Sequence, residues 1–223
     1  MSAISDIQSQ YSKLEAWLYD SIIAPGSVDV KLNVLRPWLK SLPKSAAVLD
    51  VGCGGGQVIA AVLNEYPNLQ MVGIDNSPRQ VQRAQAALKK ISSQVKIYED
   101  SVSQLHCPDQ CFDFVYSIAS IKHWPDRHRG LQECLRVLRT GGVVLVTEID
   151  RDCSEGRLKD FVDRWKIPSI FKGKAAQLYS EKILQHSLSL SEVRKYFEEV
   201  GVEEIQSGEI PDSPAFYVLG RRL

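Results

Sequence analysis

The chain has 223 residues, 44% of them apolar and 24% charged, which is typical of one globular domain with or without an appended cap. Its 27 basic and 27 acidic residues cancel, so no net field attracts nucleic acid or an anionic membrane. No apolar run approaches the ~20 residues that span a bilayer, and the first residues lack a secretory pattern. Five cysteines without a repeated framework favour reduced thiols over a disulfide scaffold or a metal site. We therefore expect a soluble, cytoplasmic protein without a metal.

The first 43 residues have the pattern of a helical cap. Apolar residues recur at helical spacing over about 4–23, where the turn residues at 24–26 end the pattern. A second helical pattern covers about 28–42 and is interrupted by Pro37. We expect residues 1–43 to pack as helices against the domain that follows.

From residue 44 onward, short apolar runs alternate with helical patterns. The predicted strands are Ala46–Val51, Leu69–Ile74, Val95–Tyr98, Phe112–Tyr116 and Val143–Val146, followed by Val202–Gln206 and Phe216–Gly220. The predicted helices are Val58–Tyr66, Pro78–Ile91, His128–Leu138 and Ser191–Val200. Because strands that alternate with helices form parallel sheets covered on both faces, the sequence predicts an α/β domain over 44–223.

Residues 151–187 differ from the rest of this domain, being polar and irregular in pattern. Aromatic residues are scattered through them and through the N-terminal segment: Tyr11, Trp17, Tyr19, Phe161, Trp165, Phe171 and Tyr179. The two segments are expected to flank the carboxyl edge of the sheet, where α/β proteins bind ligands. We expect 151–187 to be a helical lid insertion. Its aromatic residues either line an apolar pocket or pack as an added layer.

A glycine-rich loop, Asp50-Val51-Gly52-Cys53-Gly54-Gly55-Gly56-Gln57, follows the first predicted strand. Glycines let the backbone turn tightly and approach a ligand, and the helix that follows presents unpaired N–H groups. The dinucleotide fingerprint fails because its third glycine would fall on Gln57 or Ile59. The phosphate-loop pattern fails because no Gly-Lys-Ser/Thr follows.

This loop resembles motif I of the class I S-adenosylmethionine-dependent methyltransferases, and the later motifs of that family follow in order. They are Gly73-Ile74-Asp75, Asp100-Ser101, Cys111-Phe112-Asp113-Phe114-Val115, and Glu133 with Arg136-Val137-Leu138-Arg139-Thr140-Gly141-Gly142. The resemblance is strong over 44–150 and weaker over 188–223. It implies a Rossmann-like, seven-stranded, mostly parallel sheet with helices on both faces. It also implies S-adenosylmethionine as cofactor and S-adenosylhomocysteine as product.

The resemblance assigns cofactor contacts to the carboxyl ends of the first four strands. The contact residues that it implies are Asp50, Gly52, Gly54, Gly56, Asp75, Asn76, Asp100, Ser101 and Ile118. Asp75 would accept both ribose hydroxyls in charge-assisted hydrogen bonds, although it can also cap the next helix. Asp100 would accept from the adenine amino group while the Ser101 N–H donates to a ring nitrogen, unless the two are an exposed loop pair. The Gly52 carbonyl and the backbone near Ile118 would face the methionine amino group, and Asp50 would orient the loop.

Methyl transfer from a sulfonium is an in-line displacement, so an enzyme mainly holds donor and nucleophile in line and excludes water. A base is needed only when the nucleophile carries a proton that leaves early. The segment after strand four resembles that of the family's small-molecule branch, in which a histidine often occupies this loop at or near the position of His123. Since histidine titrates near neutral pH, His123 is a candidate base or acceptor-orienting residue. It can also be a loop-shaping residue stacked on Trp124, and these roles remain open.

Several acceptor classes are disfavoured. The Asn/Asp-Pro-Pro-Tyr/Phe motif and the Pro-Cys nucleophile are absent after strand four, and the neutral charge weakens nucleic-acid binding. A small, hydrophobic or aromatic acceptor is favoured. The alternatives are a non-catalytic S-adenosylmethionine sensor or partner subunit, and a methyltransferase acting on protein or RNA. The oligomeric state is left open.

Overall fold

The computed structural model describes residues 24–89, 91, 95–165 and 167–223. The predicted helix over 4–23, with Tyr11, Trp17 and Tyr19, lies outside the described residues.

The first described helix, α1 (Ala24–Ser41), differs from its prediction because it is continuous. It includes the Pro25-Gly26 turn signal in its first turn, where proline is tolerated, and it continues through Pro37. Its buried face carries Leu32, Leu35 and Leu39 against the sheet. Burial of this apolar stripe offsets the cost of an interior proline, because packing contributes more to helix stability than local propensity does.

The sheet has seven strands, as predicted. They are β1 (Ala47–Val51), β2 (Gln70–Asp75), β3 (Val95–Glu99), β4 (Phe112–Ile118), β5 (Leu138–Ile149), β6 (Glu203–Glu209) and β7 (Ala215–Arg221). Their order is β3-β2-β1-β4-β5-β7-β6, and β7 runs antiparallel to both of its neighbours. The order reverses between β1 and β4, which creates the crevice where ligands bind in open α/β sheets.

Helices cover both faces of the sheet. After α1 they are α2 (Gln57–Glu65), α3 (Pro78–Leu88), α4 (Arg127–Val137), α5 (Glu155–Asp163), α6 (Ser169–Lys182) and α7 (Leu190–Glu199). Alternate residues of each strand face opposite cores, so Leu49 and Val51 pack with the α4 and α7 side while Val48 packs with the α1–α3 side. None of the helices in the described part of the chain is long and apolar enough to cross a membrane.

The segment proposed as a lid forms helices α5 and α6 with a small apolar cluster of their own. The rings of Phe161, Trp165 and Tyr179 contact each other edge to face, with centroids 5.5–5.9 Å apart. Phe171 is instead exposed beside Ile170. Three of the four aromatic residues of this segment therefore pack as a layer.

Candidate active site

A cavity of about 320 Å³ opens at the carboxyl edge of the sheet, at the reversal between β1 and β4. Of the residues singled out from the sequence, Gly52, Asp75, Asn76, Asp100, Ser101 and His123 line it. They come from loops far apart in the chain, and the parallel sheet brings them together because it ends those strands at one edge. Asp50, Gly54, Gly56 and Ile118 are not among the residues that line the cavity in the described structure.

The glycine loop needs glycine at position 52. Gly52 has φ +78°, and a Cβ there would lie 1.9 Å from the Ser120 Oγ. The N–H groups of Gly52 and Cys53 both donate to the Ile74 carbonyl, at 2.8 and 2.9 Å. The backbone is thus held against β2 on one side and Ser120 on the other, and no larger residue fits.

The Asp75 carboxylate fastens this loop to the next helix. Oδ2 accepts from the Gly54 N–H and Oδ1 accepts from the Ser77 N–H, each at 2.9 Å. The capping role is therefore observed. Because each carboxylate oxygen has a second acceptor site, Asp75 can also accept ribose hydroxyls, which stays a prediction.

The Asp100 carboxylate is largely occupied by its own loop. Oδ1 accepts from the Ser101 N–H and contacts His106 Nδ1, both at 2.8 Å, and Oδ2 accepts from the His106 N–H at 2.9 Å. The Ser101 N–H that was expected to donate to adenine therefore donates to Asp100. Sequence reasoning missed Gln80, which also lines the cavity and whose Oε1 is buried without a hydrogen-bond partner in the described structure.

Asp50 lies behind the glycine loop with only 3% of its surface exposed. The Tyr116 hydroxyl and the Lys31 ammonium are its neighbours, and they favour the ionised form. Burial outweighs them and raises the pKa of Asp50 to about 7. Burial likewise lowers the pKa of Lys31. That Asp50 orients the glycine loop stays a prediction.

His123 ends a 3-10 turn, Ile121–His123, directly after β4. Its ring borders the cavity and keeps solvent access, yet the protein atoms around it lower its pKa, and the Lys122 ammonium lowers it further. Trp124 is buried, and its Nε1–H donates to the Ser120 Oγ at 3.2 Å. The ring pairs in the described residues do not include His123 with Trp124. The lowered pKa favours the neutral imidazole, which is the form that can accept a proton.

The open sheet, the glycine loop after β1 and the acidic residues at the carboxyl ends of β2 and β3 define a Rossmann-like domain whose cavity has the features of a site for a nucleoside-containing ligand. Residues 48–142 match a family described as "Methyltransferase domain". The glycine cradle and the unfilled acceptor sites on Asp75 fit S-adenosylmethionine. Over these residues the chain is similar to the class I S-adenosylmethionine-dependent methyltransferases.

Curated methyltransferases are similar to this chain in sequence, and a solved structure is similar to it in fold. Over 128 residues the chain is 34% identical to 2-methyl-6-phytyl-1,4-hydroquinone methyltransferase 1 of Oryza sativa subsp. japonica, covering 56% of this chain and 38% of that protein. It is 35% identical over 114 residues to ajmaline N-methyltransferase of Rauvolfia serpentina, covering 50% and 39%. A SAM-dependent methyltransferase from Aquifex aeolicus is similar in fold, with TM-score 0.67 and 17% identity in a comparison that covers 100% of each chain. The chain spans about two fifths of the length of these two curated relatives.

Proposed function

We propose that this chain transfers the methyl group of S-adenosylmethionine to a small, hydrophobic or aromatic acceptor, with His123 as base or acceptor-orienting residue. One observation carries the proposal. A single cavity joins the glycine loop and the acidic residues Asp75 and Asp100 to a histidine whose pKa is lowered.

The bound cofactor supplies a methyl group activated by its sulfonium, and the protein supplies position, exclusion of water and proton acceptance. Gly52, Asp75 and the Asp100 loop hold the adenosine and methionine parts. His123 accepts the proton of an acceptor hydroxyl or amine as the new bond forms. Its lowered pKa favours the neutral form of the imidazole, which is the form that accepts a proton.

A small acceptor is supported by the names of the relatives, which act on a hydroquinone and on an alkaloid. It is also supported by the balance of 27 basic and 27 acidic residues, which gives no field for a nucleic-acid backbone. The relatives methylate chemically different acceptors, so the proposal is limited to small molecules with an apolar or aromatic body.

The test is transfer of labelled methyl from S-adenosylmethionine to a panel of hydroquinones, phenols, alkaloid amines and a metabolite extract. His123→Ala should keep cofactor affinity within a factor of about two while turnover falls ~10²–10⁴-fold, the usual range for a lost general base. If His123 only orients the acceptor, KM should rise most and His123→Gln should recover much of the activity. Cofactor binding without transfer to any acceptor would favour a sensor or partner subunit.

We also propose a cytoplasmic location. Support comes from the five cysteines, which are all unpaired in the structure, as a reducing compartment favours. Cell fractionation with an antibody to the protein would test it.

A further inference from the structure

Lys122, the residue before His123, ties the 3-10 turn to the end of β5. Its Nζ lies 3.0 Å from Glu148 Oε1, and the Ile149 N–H donates to the same oxygen at 2.8 Å. The Glu148 side chain has no exposed surface, and that of Lys122 is 17% exposed. This ion pair therefore lies inside the protein, next to the candidate active site.

A second contact holds the same turn from the other side. Arg127 Nη2 donates to the Lys122 carbonyl at 3.1 Å. Lys122 is thus fixed at both its side chain and its backbone. His123 is held only through its own N–H, which donates to the Ser120 carbonyl at 2.9 Å, among the hydrogen bonds of the described residues. The turn that carries His123 is accordingly held largely through Lys122.

Four charged groups from four elements face the His123 ring. Lys122 on the turn and Arg127 at the start of α4 disfavour the imidazolium, whereas Glu148 on β5 and Asp75 on β2 favour it. The two members of the ion pair therefore have opposite effects on the pKa of the same imidazole.

A buried ion pair is a costly way to hold two elements together, because an apolar pair of similar size often stabilises a protein as well. The cost is higher here because Glu148 Oε2 is buried without a hydrogen-bond partner in the described structure. A purely structural tie between the turn and β5 would not need these charges.

We propose that the Lys122–Glu148 ion pair is a positioning device for His123, which fixes the imidazole at the cavity and balances the charges around it. The inference rests on the proposed function, in which His123 accepts a proton. It makes Lys122 and Glu148 positioning residues.

NMR titration of the His123 ring, assigned with His123→Gln, tests the inference without an acceptor. Glu148→Gln should lower the His123 pKa and Lys122→Met should raise it, each by roughly half a pH unit or more. The double variant should return the pKa close to that of the parent. Glu204→Gln breaks an exposed pair with Arg221 on the edge strand β6 and should leave the His123 pKa unchanged.

The two single variants and the double variant all break the Lys122–Glu148 contact. A merely structural role therefore predicts that they move the His123 pKa in one direction or not at all. Either result would overturn the inference. Lys122→Met leaves a buried carboxylate without its cation. If Lys122→Met does not fold, Lys122→Arg is used in its place. Lys122→Arg keeps the positive charge and should keep the parental His123 pKa, whereas Glu148→Gln should still lower that pKa.

Once an acceptor is known, the acid limb of kcat should move with the titrated pKa, to lower pH in Glu148→Gln and to higher pH in Lys122→Met. Cofactor affinity should stay within a factor of about two. The titration decides the role of the ion pair, and the labelled-transfer assay decides the proposed function, so each can fail alone.

Discussion

The buried Asp50 carboxyl should make the stability of this protein fall as the pH rises. Its pKa is raised from 3.8 to about 7, so the folded chain holds this proton more tightly than the unfolded chain. Stability is then highest below the unfolded pKa, declines through the interval between the two values, and is lowest above pH 7. The full difference corresponds to about 4 kcal/mol.

Asp50→Asn removes this ionisation while keeping the size and shape of the side chain. We expect the free energy of unfolding of the variant, relative to the parent, to rise by about 2–3 kcal/mol between pH 5 and pH 8. Urea unfolding at four pH values between these limits measures it, with unchanged m-values as the test of two-state behaviour.

Asp160→Asn, at an exposed position of α5, controls for the general loss of one negative charge and should show a difference that is flat with pH. A flat difference for Asp50→Asn as well would refute the reasoning. It would mean that the Asp50 charge is compensated in the folded state, with Lys31 as the cation that acts on it.

Three further predictions concern the cavity. Gly52→Ala should lower the free energy of unfolding by about 2–4 kcal/mol, because its Cβ would clash with Ser120. Gly54→Ala should lower it by about 1–2 kcal/mol, because its Cβ would lie in open space and only the backbone strain at φ +53° remains. Thermal unfolding compares the two variants, and equal losses would contradict the clash. Asp75→Ala should weaken S-adenosylhomocysteine binding by about 1.5–3 kcal/mol in calorimetry and Asp75→Asn by less; parental affinity in a folded Asp75→Ala would mean that ribose is held elsewhere. Gln80→Leu should weaken the same binding by about 1 kcal/mol, because the amide lines the cavity with its oxygen unpaired, and unchanged affinity would remove Gln80 from the site.

The core strands could be read from the sequence because their apolar runs are local signals. Every predicted strand is present, with ends shifted by a few residues, and β5 is longer than its run Val143–Val146. It extends to Leu138–Ile149 because β4 and β7 pair with it on both sides. The local pattern also indicated a break at Pro37, which the burial of α1 against the sheet overrides.

The glycine loop and the two acidic strand ends could also be predicted from the sequence, because each is a short motif with a characteristic spacing. The hydrogen bonds that these residues make could not be predicted. His106 contacts Asp100 across six positions and Asp75 reaches back to Gly54 across 21, and neither pairing leaves a pattern in one sequence.

The sequence by itself therefore determined the class of fold and the edge of the sheet where the candidate site lies. Both depend on periodicity and on residues adjacent in the chain. Only the tertiary structure decided the surroundings of His123, where Lys122 meets Glu148 across 26 positions and inside the protein. The physical reason is that burial and charge depend on which elements pack together, and one residue's neighbours in space are set by the whole sheet.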